Sequence, residues 1–297
     1  MNNNKSLLAM SFFLSTSLAH AEFSTILDAD GMGCASGKKG VNEQQEARRL
    51  AFTDAKRQAA EMAQSHIKST TSMKDFVLQE DFVESFVNAR VSILEVLNES
   101  WDKREECMSV KIHAEVTPDE ETVDSEALTA ALLEDPSGPL MVKLWTNKTV
   151  YAPGDTMKIY VKGNKPFYGL LTYTDANGNT LQILPNPNRS ADNFDGGVVY
   201  AVPGHGDTFA LTIEPPFGKE KLSLYARTTP LGNINKNNLG AAFLLTDSAQ
   251  DIAKKTRGIS LNAVGTKIAA DGTVYVPTDE RIAEFNQVSL DVMVNEK

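Results

Sequence analysis

Tyr151-Ala-Pro-Gly-Asp155, running into Met157-Lys-Ile-Tyr-Val161, opens the stretch that decides the fold class. The row it belongs to extends from Leu140 to Arg227. Phe167–Asp175, an Asn177-Gly178 turn, Thr180–Leu184 and Pro185-Asn-Pro187 come next. Gly197–Val202, Thr208–Glu214, a Pro215-Pro-Phe-Gly218 turn and Lys221–Arg227 follow. Strand-sized runs at this spacing, cut by Gly, Pro and Asn, predict an antiparallel β-sandwich.

Upstream the periodicity changes. From Asn42 to about Lys68, Ala47, Leu50, Ala51, Ala55, Ala59, Met62, Ala63 and Ile67 recur at steps of three and four and define one apolar helix face. A face made mostly of alanine lets a helix axis approach a sheet closely. Phe23–Leu27 reads as a strand before this helix and Val91–Leu97 as one after it, whereas Thr70–Asn88 fits a helix or a strand pair. Met108, Val110, Ile112, Ala114 and Val116 alternate with Ser109, Lys111, His113 and Glu115, the period of a strand with one buried face. The unit is strand–long helix–strand–strand, so the fold class is α+β. Residues 22–117 form a small α+β domain, 118–138 an acidic, proline-bracketed linker and 139–297 the sandwich. Within 139–297, Ser248–Arg257 reads as a short helix ended by Gly258, and Ile259–Val264, Thr273–Val276 and Val288–Val294 as further strands.

Residues 1–21 read as a signal peptide. Met1–Lys5 carries one positive charge, Ser6–Ala19 is apolar, and Ala19-His20-Ala21 is a small-x-small cleavage site, so the mature chain begins at Glu22. The apolar run is too short to span a bilayer, and no later stretch approaches that length. The expected location is the periplasm, with no integral membrane segment after cleavage. The formal charge is −10; removing residues 1–21 removes Lys5 and no acid, leaving 28 basic against 39 acidic residues, or −11. Phosphate backbones repel such a field, so nucleic acid is excluded as a partner class. Two cysteines, Cys34 and Cys107, in an oxidising compartment point to a disulfide, the alternative being two separate buried thiols. Closing a loop of about 74 residues would stabilise the fold by roughly 4 kcal/mol.

Tyr151-x-Pro153-Gly154-Asp155, Leu184-Pro185-Asn186-Pro187, Pro203-Gly204, Pro215-Pro216-Phe217-Gly218 and Thr256-Arg257-Gly258-Ile259 occur in the order in which a bacterial domain-of-unknown-function family carries them. Residues 140–295 resemble that family, which implies a β-sandwich appended to exported or signalling proteins and brings no catalytic residues. Residues 24–117 resemble the N-terminal domain of the flagellar H-ring assembly protein and related small outer-membrane lipoproteins. That likeness rests on Gly31-x-Gly33, the alanine-striped helix Ala47–Ala63 and the ending Val110-x-Ile112-x-Ala114-Glu115-Val116. Here no cysteine follows the cleavage site to carry a lipid.

Catalytic patterns are missing from the sequence. Gly31–Lys39 has the wrong spacing for a phosphate loop, and Asp175-x-Asn177-x-Asn179 lacks the glycine and terminal Glu of a calcium loop. His66, His113 and His205 lack partners at metal-ligand spacing and read as surface histidines. The sequence implies no cofactor, no metal and no enzyme. The favoured expectation is an exported adaptor or assembly factor binding envelope proteins; a small-ligand or glycan-binding module is the alternative, and a hydrolase with scattered catalytic residues the third. If each sandwich strand runs antiparallel to its predecessor, one end of the domain gathers a basic, aromatic rim. Phe167, Arg189, Phe194, Phe217 and Lys219 are its candidate binding residues, the alternative being phenylalanines that plug the core.

Overall fold

The computed structural model describes residues 20–35, 43–71, 80, 82–119, 125–240, 242–258, 267–268, 274–275 and 282–295. The signal segment before His20, the proposed Asn42 helix cap and the strand expected over Ile259–Val264 lie outside the described residues.

The α+β unit forms as strand β1 (His20–Cys34), helix α1 (Glu43–Thr70), β2 (Arg90–Asp102) and β3 (Cys107–Thr117). In space β3 lies between β1 and β2, both pairings antiparallel. Ala47, Ala51, Ala55, Ala59, Ala63 and Ile67 form the buried stripe of α1, narrower than expected because Met62 is exposed. Gly31 and Gly33 explain the alanines. A Cβ on Gly31 would stand 2.3 Å from the Ala51 carbonyl oxygen, and one on Gly33 would stand 2.4 Å from that of Ala47. The helix therefore lies directly on β1, a distance that only Gly facing Ala permits. Cys34 faces Cys107 across the β1–β3 ladder, and their sulfurs are bonded, with Cα atoms 4.0 Å apart.

A helix α2 (Ser125–Leu133) leads to the sandwich. Its strands are β4 (Val142–Thr146), β5 (Val150–Tyr151), β6 (Thr156–Met157), β7 (Ile159–Gly163), β8 (Phe167–Thr174) and β9 (Thr180–Leu184). They continue with β10 (Asn193–Phe194), β11 (Val199–Val202), β12 (Leu211–Thr212) and β13 (Lys219–Arg227). Then come β14 (Lys236–Asn238), β15 (Phe243–Leu245), α3 (Ala249–Arg257), the short β16 (Lys267–Ile268) and β17 (Val274–Tyr275), and the long β18 (Ile282–Val294). Asn177-Gly178 makes the β8–β9 hairpin as read. Gly178 has φ +87°, and Asp175 Oδ1 accepts from the Asn177 and Asn179 N–H groups. A small sheet, β11-β7-β4, packs on β8, β13 and β18 around Leu144, Ile159, Val161, Leu171, Leu224 and Val292.

The sequence reads as two domains joined by a linker, yet the main sheet is continuous through both. Its order is β14-β15-β9-β8-β13-β18-β1-β3-β2. β18 pairs with β13 from Phe285 to Met293 and, on its other edge, with β1 from Ile282 to Ser289. A chain beginning at Glu22 keeps the β1 pairs from Glu22 to Leu27. The acidic stretch is docked as well: Leu132 and Leu133 sit in the core under α1. Asn164 then fastens the exit, donating to the Asp135 and Pro139 carbonyls (both 2.8 Å) and accepting from Met141 N–H (2.9 Å). Alternation and turn chemistry mark where strands lie but carry no signal for a pairing between chain ends.

One face of the main sheet carries α1 and the small sheet, and α3 covers part of the other. Ile26, Leu170, Tyr225, Ile252 and Phe285 form a third core there. That cover corrects the expectation that β3 has one solvated face, since His113 and Glu115 are buried.

The shared sheet makes a prediction about truncation. A fragment of residues 139–297 exposes the β1-facing edge of β18, and bare edges recruit other chains. The fragment should self-associate or melt well below the mature chain; a monomeric fragment melting at the parent temperature would show that β1 contributes nothing.

Candidate functional site

The structure does not bring the five rim residues together. Phe167 and Phe194 are buried in the sandwich core, their rings stacked with centroids 4.9 Å apart. Arg189 reaches Asp207 (3.2 Å), which follows β11 beyond Val202 at the far end of β7 from Gly163. Phe217 is partly buried against the core, and exposed Lys219 pairs with Asp291 (2.9 Å) at the end opposite Phe167. Gly218 stands beside Ala176 of the Asn177-Gly178 turn, not beside Asn164. The reason is one missed reversal. β11 pairs antiparallel with β7, and β12 pairs antiparallel with β6, immediately before β7. β11 and β12 therefore run in the same direction, and 203–210 is an excursion rather than a turn. Every strand after it is inverted relative to simple alternation.

Two polar clusters against β18 leave no mark in the sequence. The strand's successive side chains point to opposite faces of the sheet, and each face holds one cluster. On the α1 face Glu284, 4% exposed, accepts from Leu140 N–H (2.7 Å) and Lys165 Nζ (2.9 Å) and lies 2.9 Å from His66 Nε2. One carboxylate thus ties α1, the exit from α2 and the β7–β8 corner. Neighbouring Asn286 accepts from Val142 N–H (3.0 Å) and donates to the Glu22 carbonyl (3.2 Å). On the opposite face the Arg257 guanidinium reaches Glu115 (2.7 Å) and Glu22 (2.9 Å) and lies over the Phe285 ring, 4.4 Å from its centroid. Ser24 donates to the same Glu115 oxygen (2.6 Å). His113 Nδ1 lies 2.7 Å from Asp28 Oδ1. His66 and His113 are therefore partnered and at least partly buried, contrary to the expectation of surface histidines, whereas His205 is exposed.

Accessible concave surface lies on the first lobe. A groove of about 530 Å³ runs between α1 and the segment leading into β2. Ala60, Phe86, Val87, Ala89 and Val91 supply its apolar lining, and Lys56, Arg57, Glu61 and Gln64 line it from α1. Val87 is 61% exposed. Arg57 is engaged by Asp54 (2.7 Å) and Glu61 (2.6 Å), which leaves Lys56 as the mobile charge of the rim. A smaller recess of about 260 Å³ lies among Asp30, Met32, Gln58, Asn98 and Lys111. Among the described residues no group of three or more His, Cys, Asp or Glu side chains could hold a metal ion. No described helix is long and apolar enough to cross a membrane.

Residues 150–230 match the family described as Domain of unknown function (DUF4384). That stretch is similar to a DUF4384 domain. The match runs from β5 to just beyond β13, so β18, which completes the sandwich sheet, lies outside it. Within the DUF4384 span Tyr151 is buried and donates to Asn147 (2.8 Å), and Asp155 accepts from Ala152 N–H (2.9 Å) to close the Pro153-Gly154 turn. Asn186 holds its own turn by accepting from Asn188 and Arg189 N–H groups. These side chains build turns and display no chemistry. No curated protein matches the chain.

Glu284 supplies the test of this junction. Burial raises its pKa, but the His66 hydrogen bond and the Lys165 charge outweigh burial and hold the carboxyl below an ordinary glutamate's 4.5. A depressed carboxylate contributes stability above its unfolded-state pKa and loses it as pH falls through the folded-state value. Glu284→Ala should destabilise by about 3 kcal/mol at pH 7, the scale for breaking a buried pair. In thermal melts the gap to the parent protein should narrow on acidification below about pH 4.5. A gap independent of pH would remove the ionised carboxylate from the account.

Proposed function

We propose that the chain is an exported, non-enzymatic adaptor of a bacterial cell envelope that holds another envelope protein in the groove between α1 and residues 86–91. The groove carries this reading. Its apolar floor beside Lys56, Arg57 and Glu61 suits a peptide segment that buries one side and presents charge on the other. The framework beneath it is the continuous sheet, entered at the groove by the Arg90 and Val91 end of the β2–β3 ladder, so a partner would meet a preformed surface. A disulfide accords with the periplasmic location that the first 21 residues imply. The likeness of residues 24–117 to the flagellar H-ring assembly domain, and the turn landmarks of the sandwich, support an assembly role over catalysis.

A small-ligand or glycan module is the second reading, because about 530 Å³ is also the size of a small-molecule site. One comparison separates the two. Immobilised mature protein and the variant Lys56→Glu/Val87→Asp are exposed to envelope extract and, separately, to a panel of sugars and short peptides. An adaptor should retain a defined envelope protein that the variant loses, with both proteins melting at the same temperature. Identical capture by both proteins would exclude the groove. Thermal stabilisation of the parent alone by a sugar, without protein capture, would transfer the site to the second reading.

A further inference from the structure

The main sheet ends in two unlike edges. One is β14, three residues long; the other is β2, thirteen residues long, exposed over most of its length and, among the described strands, hydrogen-bonded to β3 alone. Long bare edges are templates for further pairing unless something blunts them. Two bulges do so here, at Leu94 and Leu97, where the β2–β3 register shifts. A kinked edge rejects a straight strand of arbitrary sequence. A second copy brings the same kinks.

We infer that β2 is a self-pairing edge, joining two copies of the chain antiparallel about a two-fold axis at Val96. The side-chain faces decide the register. Val91, Ile93 and Trp101 pack toward the core under α1, Val96 opposes Ile112, and Glu99 is held from α1 by Arg48 (2.6 Å). Arg90, Ser92, Asn98, Ser100 and Asp102 alternate with these and oppose the other-face residues of β3, while Leu94 packs against the third core. Centring the pair on Val96 sets Arg90 against Asp102, Val91 against Trp101, Ser92 against Ser100, Ile93 against Glu99 and Val96 against itself. Each of these pairs lies on one face. A shift by one residue puts Val91 opposite Ser100 and mismatches every face, because the side-chain period is two.

The pairs are also chemically matched. Arg90 meets an opposite charge, and Asp102 offers one, its Oδ1 already accepting from the Arg104 N–H (2.8 Å). Val91 on Trp101 is an aromatic–β-branched pair, and no like charges stand directly opposite each other, the features that stabilise cross-strand contacts. Val96 is 41% exposed and Leu97 36% in the single chain; both would be covered. The bulges sit close to symmetrically about the axis, leaving regular strand at 90–92 and 100–102 to form the two outer ladders.

The test uses the mature chain and requires no knowledge of the groove's partner. Sedimentation equilibrium should give twice the mass of one chain, and Val96→Lys, which faces two ammonium groups across the axis, should give one mass and a cooperative melt that no longer depends on protein concentration. Val96→Cys should oxidise to a cross-linked dimer, because facing residues on paired strands place their Cβ atoms about 5 Å apart. Ser92→Cys should not, since the axis carries Ser92 to Ser100. A single-chain mass up to the solubility limit would overturn the inference. So would a dimer that survives Val96→Lys, or one that cross-links through Ser92→Cys and not through Val96→Cys.

Discussion

Strand β18 is hydrogen-bonded along both edges, to β13 on one side and to β1 on the other, and this double pairing constrains everything around it. Without β18 the sandwich lacks a strand of its larger sheet, and the α1 lobe has an open edge at β1. The strand is buried on both faces from Ala283 to Asn286; beyond that one face, with Val288, Leu290 and Val292, covers the sandwich core, while Asp291 and Met293 on the other reach solvent. A strand paired to β13 over Phe285–Met293 and to β1 over Ile282–Ser289 cannot be removed without exposing backbone donors and acceptors on two neighbours.

The polar clusters follow from the same geometry. Where α1, the exit from α2 and the β7–β8 corner meet on one strand, they bring polar groups into a buried space. Glu284 answers the Leu140 N–H, Lys165 and His66 on one face; Arg257 answers Glu115 and Glu22 on the other. Buried ion pairs are weak sources of net stability, because desolvation offsets their attraction. Their value here is specificity: a lobe docked in another register would strand a charge. Arg227 shows the cost of incomplete pairing. Its described partner is the Gly258 carbonyl (2.6 Å), and burial pulls the guanidinium down to about 10.

Local chemistry was legible in the sequence; long-range pairing was not. The alanine stripe, the β3 alternation, the Asn177-Gly178 hairpin and the Cys34–Cys107 bridge are each encoded within a few residues or by a compartment argument. The short helix at Ser248–Arg257, ended by Gly258, was equally plain; the structure adds Ser248 as its N-cap, the side chain accepting from the Asp251 N–H (3.1 Å). Glu284 lies before the strand read at Val288–Val294, and nothing local marks it, because its partners sit at 66, 140 and 165. Asn286 and Glu22 are 264 residues apart in sequence and touch in space. No periodicity reports such a contact. The rim of Phe167, Arg189, Phe194, Phe217 and Lys219 failed for a related reason. Proline and glycine at 203–206 resemble a reversal, yet β11 and β12 pair successively along β7 and β6 in one direction. The reading of His113 as a surface residue failed because period two reveals which residues share a face and not what covers that face.

The account stands on β18 being one strand of one cooperative sheet. Native-state hydrogen exchange across a low-denaturant series reads this directly, since amides that open together share a free energy and a denaturant slope. Ladder amides of β1, β13 and β18 should exchange through the same global unfolding. If β1 and β3 instead open together at a distinctly lower free energy, with β13 and β18 still protected, the two lobes are separate cooperative units. The shared strand would then be a contact and not the organising element.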